Sequence, residues 1–181
     1  MIRWLRRKLI FLALLGAAAV LLLPRPDPQP DPQPAPVLPP LVGPVDRIVV
    51  EKAARRMVVY RGNLALREYR VALGFAPAGA KVRQGDGKTP EGVFRIDRVN
   101  AQSSYHLSVG LDYPQAADRD RAAVGGYDAG GDIFIHGQPN GLPDGTLLSG
   151  DWTAGCIAVS NTEIREIFAA VSVGAVVDVR P

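Results

Sequence analysis

In residues 24–44 proline recurs at nearly every second position and the repeat PDPQPDPQP appears. Each proline ring fixes φ near −65° and removes a backbone donor, so neither a helix nor a sheet ladder can run through such a segment. It is expected to form an extended polyproline II tether, and a folded domain has to lie to one side of it. At ~3.1 Å per residue the tether would reach roughly 65 Å, and its composition marks a plain spacer.

On the N-terminal side, residues 9–23 form an uncharged apolar run directly behind Arg3, Arg6, Arg7 and Lys8. As a helix the run would span roughly 22 Å, short for a ~30 Å hydrocarbon core unless Trp4, Leu5 and the arginines contribute at the interface. The small residues Ala17, Ala18 and Ala19 offer a cleavage site, yet three leucines follow them. Residues 1–23 are thus expected to be a membrane anchor, with a cleaved signal peptide as the alternative. In either case the basic end stays in the cytosol and the rest is exported. The same four basic residues account for more than the whole formal charge of +3, so the basicity implies no nucleic-acid partner.

Residues 45–181 are expected to be the folded domain. Short apolar alternations separated by turn residues predict strands at 46–50, 56–60, 64–74, 92–99, 105–111, 132–136 and 175–180, with Arg61-Gly62-Asn63 as a hairpin turn. One segment reads as a helix. Ser160 and Glu163 form a capping-box sequence, Ile164, Ile167, Phe168 and Val171 follow on one face, and Gly174 is the expected terminator. The predicted fold class is mainly β, a sandwich or barrel with one packed C-terminal helix.

Cys156 is the chain's single cysteine. In an exported protein it cannot make an intramolecular disulfide, so it is an intermolecular partner, an inert buried thiol or a reactive one. In Asp151-Trp152-Thr153-Ala154-Gly155-Cys156-Ile157, small residues precede the sulfur and leave room for a substrate backbone. The N–H groups of Gly155 and Cys156 could then form an oxyanion hole. A thiol of ordinary pKa near 8.5 needs a base or a positive field to act as a nucleophile. Of the two histidines, His136 ends the apolar stretch Ile133-Phe134-Ile135 and precedes Gly137, at a strand-to-loop edge; His106 lies inside an alternating segment. His136 is the better candidate base.

Ile135-His136-Gly137, a gap, and Thr153-Ala154-Gly155-Cys156-Ile157 resemble the signature of the L,D-transpeptidase (YkuD) family, which couples a histidine-glycine pair to a Ser/Thr-His-Gly-Cys segment. Residues 87–94 resemble that family's Thr-Pro-x-Gly turn. Residues 105–108, 111–114 and 151–156 resemble a branch with an Asp-Trp-Thr-x-Gly-Cys segment. The resemblance implies a thioester mechanism on peptidoglycan stem peptides: His136 takes the thiol proton and Cys156 attacks the carbonyl of a diamino-acid residue. An amine then resolves the thioester to a cross-link or an attached protein, or water resolves it to a trimmed or released peptide. The alternatives are an amidase or L,D-carboxypeptidase acting on the same bonds, and an inactive tethered wall-binding module. The third arises because Ala154 stands where the family usually has histidine and Ala158 where it usually has arginine. Neither alanine can donate a side-chain hydrogen bond. Gly137, Trp152, Thr153 and His106 are expected to support the site or the substrate, Asp151 to orient His136, and Arg95, Arg98 or Arg165 to supply the missing cation.

No metal and no organic cofactor is expected. Gly85-Asp86-Gly87-Lys88-Thr89 resembles the end of a P-loop, but Val82 stands where its first glycine belongs and Pro90 follows where a helix should start. Two histidines and one cysteine without ligand-pair spacing do not make a zinc site.

Overall fold

The computed structural model describes residues 41–143 and 145–181; the expected anchor at 1–23 and the tether as far as residue 40 lie outside the described residues. Among the described residues, eight strands and two helices follow in the order β1 (Val45–Glu51), β2 (Arg56–Arg61), β3 (Leu64–Arg70), β4 (Gly92–Ser103), β5 (His106–Leu111), α1 (Ala116–Gly125), β6 (Phe134–His136), β7 (Ile157–Ala158), α2 (Asn161–Ala170) and β8 (Val171–Arg180). They form one sheet in the order β3-β2-β1-β8-β4-β5-β6-β7. The β1/β8 and β6/β7 pairs are parallel and the others antiparallel.

Alternation along the strands builds the core. In β8, Ala175, Val177 and Val179 are buried while the residues between them are more open, the period of two that one buried face requires. Beyond β3 the chain continues to a bridge between Ala72 and Ala158 and a second between Gly74 and Thr153. Ala72 and Ala158 exchange backbone hydrogen bonds of 2.9 and 2.8 Å. The first strand edge therefore meets the last, and the sheet curls closed over Ile48, Met57, Leu73, Ile96, Ile135 and Ile157.

The β2/β3 hairpin turns at Gly62, whose φ of 56° suits glycine, with Arg61 paired to Leu64. The α2 capping box forms as expected: Ser160 Oγ accepts from the Glu163 amide at 3.2 Å, and Glu163 Oε2 accepts from the Ser160 amide at 2.7 Å. Ile164 and Ile167 bury its apolar face, about 1.5–3 kcal/mol each by transfer. The expected terminator does not act as one, because the chain turns extended at Val171 and Gly174 lies within β8.

The second helix is a departure from the single one expected. In α1 only Ala122 is buried, so its sequence carries no apolar stripe; Asp118 accepts from the Gln115 amide at its start, and Gly126 at φ 68° ends it. Strand β3 also stops short of the expected residue 74, where the two bridges replace a ladder.

Two buried lysines fix the connection from β3 to β4. Lys52 Nζ donates to the Gly79 and Thr89 carbonyls and to Glu91, at 2.7, 2.9 and 2.8 Å. Lys81 pairs with Asp86 at 2.9 Å, and Asp86 also accepts the amides of Val82, Arg83 and Lys88. Burial disfavours the Asp86 carboxylate, but these bonds outweigh it and hold its pKa well below the usual range. Amides that cradle phosphate in a P-loop are here taken by the protein's own carboxylate. At the other end, Leu41 packs against the core and Arg61 donates to the Val42 and Pro44 carbonyls, so the last residues of the proline-rich segment are fastened to the β2/β3 corner.

Candidate active site

Parallel pairing of β6 and β7 sets Ile135 beside Ile157 and His136 beside Ala158. With side chains alternating, His136 and Ala158 share a face, and Cys156, two residues before Ala158, returns to it. Cys156 and His136 accordingly line one cavity of about 280 Å³. Its wall also includes Tyr105, Asp132 and Phe134, with polar groups from Asn100, Ser103, Ser104 and Ser108.

His136 is 3% exposed. Its Nδ1 lies 2.7 Å from the Gly137 carbonyl oxygen. A carbonyl can only accept, so in the neutral ring Nδ1 carries the hydrogen and Nε2 is the unprotonated, basic nitrogen. Gly137 is required for this packing, since a Cβ there would sit 2.7 Å from Asn161 Oδ1 and 3.0 Å from Ile164 Cγ2. Its amide donates to the Tyr105 carbonyl at 3.0 Å.

Thr153 folds the cysteine loop. Its hydroxyl donates to the Cys156 carbonyl at 2.8 Å and accepts from the Gly155 amide at 3.1 Å. Gly155 has φ 142°, and a Cβ there would meet the Lys88 carbonyl oxygen at 2.7 Å, so only glycine fits. The Gly155 amide, expected to face an oxyanion, is occupied by Thr153.

The Cys156 thiol is partly accessible and donates to the Asp132 carbonyl at 3.4 Å rather than to the imidazole. Burial raises its pKa above the ordinary value and the Asp132 carboxylate adds to this; the Phe134 amide and the Lys81 charge oppose it. Burial lowers the pKa of His136, against the Gly137 carbonyl. Both shifts favour the uncharged forms of the two groups.

Other expected roles change. Asp151 does not orient His136: it holds Arg55 through contacts of 2.7, 3.0 and 3.2 Å and accepts the Leu73 amide at 3.0 Å. The ring of His106 meets Arg165 Nη1 at 3.1 Å and is not part of the cavity wall. Arg165 is engaged there and at Thr162, and Arg95 at the Gly174 carbonyl. Of the three candidate arginines, Arg98 comes nearest the cavity wall, with Nη2 3.1 Å from Asp132 Oδ1 and its guanidinium 4.5 Å from the Phe134 ring centroid. Ala154 is exposed and Ala158 is buried. Trp152 packs with its ring centroid 5.7 Å from that of His136. Asp132 and Phe134 join the site without having been expected there; their one sequence signal is a place just ahead of His136. Among the described residues no three His, Cys, Asp or Glu side chains gather as a metal site.

Similarity to known proteins agrees with this geometry. The Escherichia coli (strain K12) protein YafK, whose name proposes an L,D-transpeptidase, is 31% identical over 118 residues, 64% of this chain and 41% of that one. The helical cell shape determining protein Pgp2 from Campylobacter jejuni superposes with a TM-score of 0.56 at 27% identity, covering 75% of this chain and 47% of Pgp2. Bd1075 of Bdellovibrio bacteriovorus shares the fold, with a TM-score of 0.54 at 22% identity over 77% of this chain and 51% of that one. The chain thus spans less than half the length of YafK and of Pgp2. The model of the YkuD L,D-transpeptidase catalytic domain matches residues 45–179, and the chain belongs to that family.

Proposed function

We propose that this chain is an exported, membrane-anchored L,D-transpeptidase that works in the periplasm or cell-wall space on peptidoglycan stem peptides through a Cys156 thioester. The observation that supports it is the meeting of Cys156 and His136 in one cavity, with Nδ1 tied to the Gly137 carbonyl so that Nε2 is free to accept a proton.

Burial favours the uncharged forms of both groups, and in this reading proton transfer accompanies attack instead of preceding it. Nε2 takes the thiol proton as the Sγ–C bond forms; the C–N bond to the leaving amino acid then breaks, and the imidazolium gives its proton to the departing amine. An acceptor amine attacks the thioester, passes a proton to Nε2, and the Sγ–C bond breaks; the proton returns to sulfur. Developing negative charge on the carbonyl oxygen draws on the Cys156 and Gly155 amides, the latter after exchanging its bond to Thr153. Water in place of the amine would make the same site a hydrolase. Cell-shape control, named for Pgp2, is the corresponding expectation for the physiological role.

Mass spectrometry of digested wall peptides from cells with and without the protein tests the proposal. Cross-linked or exchanged peptides that disappear with Cys156→Ala support transpeptidation. Shortened peptides alone assign the site to hydrolysis, and products that persist in Cys156→Ala exclude the cysteine mechanism.

A further inference from the structure

Once the imidazole has taken a proton it carries a charge inside a buried pocket, and that charge needs a partner. In a Ser-His-Asp triad a carboxylate supplies one. Here Nδ1 faces only the neutral Gly137 carbonyl. Asp151 is committed to Arg55 and Lys81 to Asp86, while Asp132 pairs with Arg98 with its carboxylate largely in solvent and does not contribute to the shift of His136.

Two aromatic rings surround the imidazole. The Tyr105 ring centroid lies 4.6 Å from that of His136 with the planes 37° apart. The Trp152 centroid lies 5.7 Å away at 66°, and the two aromatic rings are 6.0 Å from each other. Both distances to the imidazole fall within the ~6 Å over which a ring quadrupole attracts a cation lying over its face; Tyr105 is the more nearly stacked ring, and Trp152 meets the imidazole in a T-shaped arrangement. The Tyr105 carbonyl also accepts the Gly137 amide at 3.0 Å, and Trp152 lies between Asp151, clamped by Arg55, and Thr153, which binds the cysteine loop. The backbone of each aromatic residue is thereby placed by contacts that do not involve the imidazole ring. The rings come from segments 105–108 and 151–156, far apart in the chain, which converge on one side chain.

We infer that Tyr105 and Trp152 are positioning residues that stabilise the imidazolium formed on His136, in the role a triad carboxylate fills elsewhere. The inference rests on His136 being the base of the proposed reaction. Electron-rich faces suit this role, because they add little to the neutral resting ring and attract it once charged. Their contribution is therefore larger in the transition state than before it.

Titration of the His136 ring in the full chain, followed by NMR with ¹⁵N-histidine labelling and without turnover, tests the inference. Tyr105→Leu and Trp152→Leu should each move the titration down by roughly 0.4–1.5 pH units and lower kcat by about 2- to 30-fold with KM little changed. Tyr105→Phe, which restores a ring, should recover most of the loss seen in Tyr105→Leu. Where the leucine variants fold poorly, stepwise fluorinated phenylalanines at position 105 keep the shape while draining the ring, and the titration should fall in step with fluorination. An unmoved or upward titration in folded variants, or a flat fluorination series, overturns the inference, since burial alone would then govern the imidazole. Because the titration needs no substrate, this failure is distinct from that of the transpeptidase reading, which shows in the wall peptides.

Discussion

The two halves of the sheet are held together differently. On one side β1 pairs with β2 through five residue pairs and with β8 through six, and β2 pairs with β3 through six. On the other, β5 and β6 share three pairs and β6 and β7 only two. The long ladders bury an alternating apolar face and add the Arg56 pairs with Glu51 and Glu68. The short ones rely on single contacts: Thr153 on both sides of Gly155, Gly155 against Lys88, Gly137 against Asn161, and Asp132 at a φ of 53° that non-glycine residues seldom adopt. Stability and reactivity therefore draw on separate regions, and substitutions should divide between them.

The largest effect comes from Cys156→Ala, which should abolish turnover while circular dichroism and melting stay near those of the parent; surviving activity would break the division at its centre. Next, Ile48→Ala, fully buried in the regular half, should cost about 2–5 kcal/mol in denaturant unfolding and leave kcat/KM of the folded fraction intact. Third, Gly155→Ala places a Cβ against the Lys88 carbonyl and should lower kcat/KM by about 10²-fold, because displacement of the sulfur by an ångström is enough. A fully active Gly155→Ala enzyme would show that the site tolerates more movement than its contacts imply.

Smaller effects sharpen the boundary. Asp151→Asn weakens a partly exposed pair with Arg55 and should cost about 1 kcal/mol, with a His136 titration moved far less than by Trp152→Leu. A loss of kcat near 10⁴-fold, as for a triad aspartate, would return Asp151 to the role of orienter. Last, burial disfavours the Cys156 thiolate, so its iodoacetamide labelling should rise with pH along a curve displaced above that of an ordinary cysteine. A midpoint below the ordinary value would mean a resting thiolate–imidazolium pair.

Much of this was legible in the sequence because it is local or periodic. The α2 capping box and its stripe at Ile164 and Ile167 and the Gly62 turn follow from short-range rules, whereas the meeting of His136 and Cys156 was expected from their chemistry and the family resemblance and not from the β6/β7 pairing that produces it. Helix α1 was not legible: a helix that buries one alanine writes no apolar period. Nor was the fate of Asp151, since a carboxylate's partner depends on which of many arginines the fold brings near, and Arg55 is 96 residues away. The fastening of Leu41 to the core was hidden for the same reason, whereas the Gly155 amide is taken by Thr153 only two residues away, a local side-chain turn that competes with the expected oxyanion role.

The seam where Ala72 meets Ala158 and Gly74 meets Thr153 flanks the nucleophile on both sides. The contacts that close the sheet are therefore the ones that place Cys156, and opening along this line would dismantle the candidate site before the long ladders separate. Mild heat or denaturant should then abolish the proposed activity reversibly, well ahead of any change in overall sheet content.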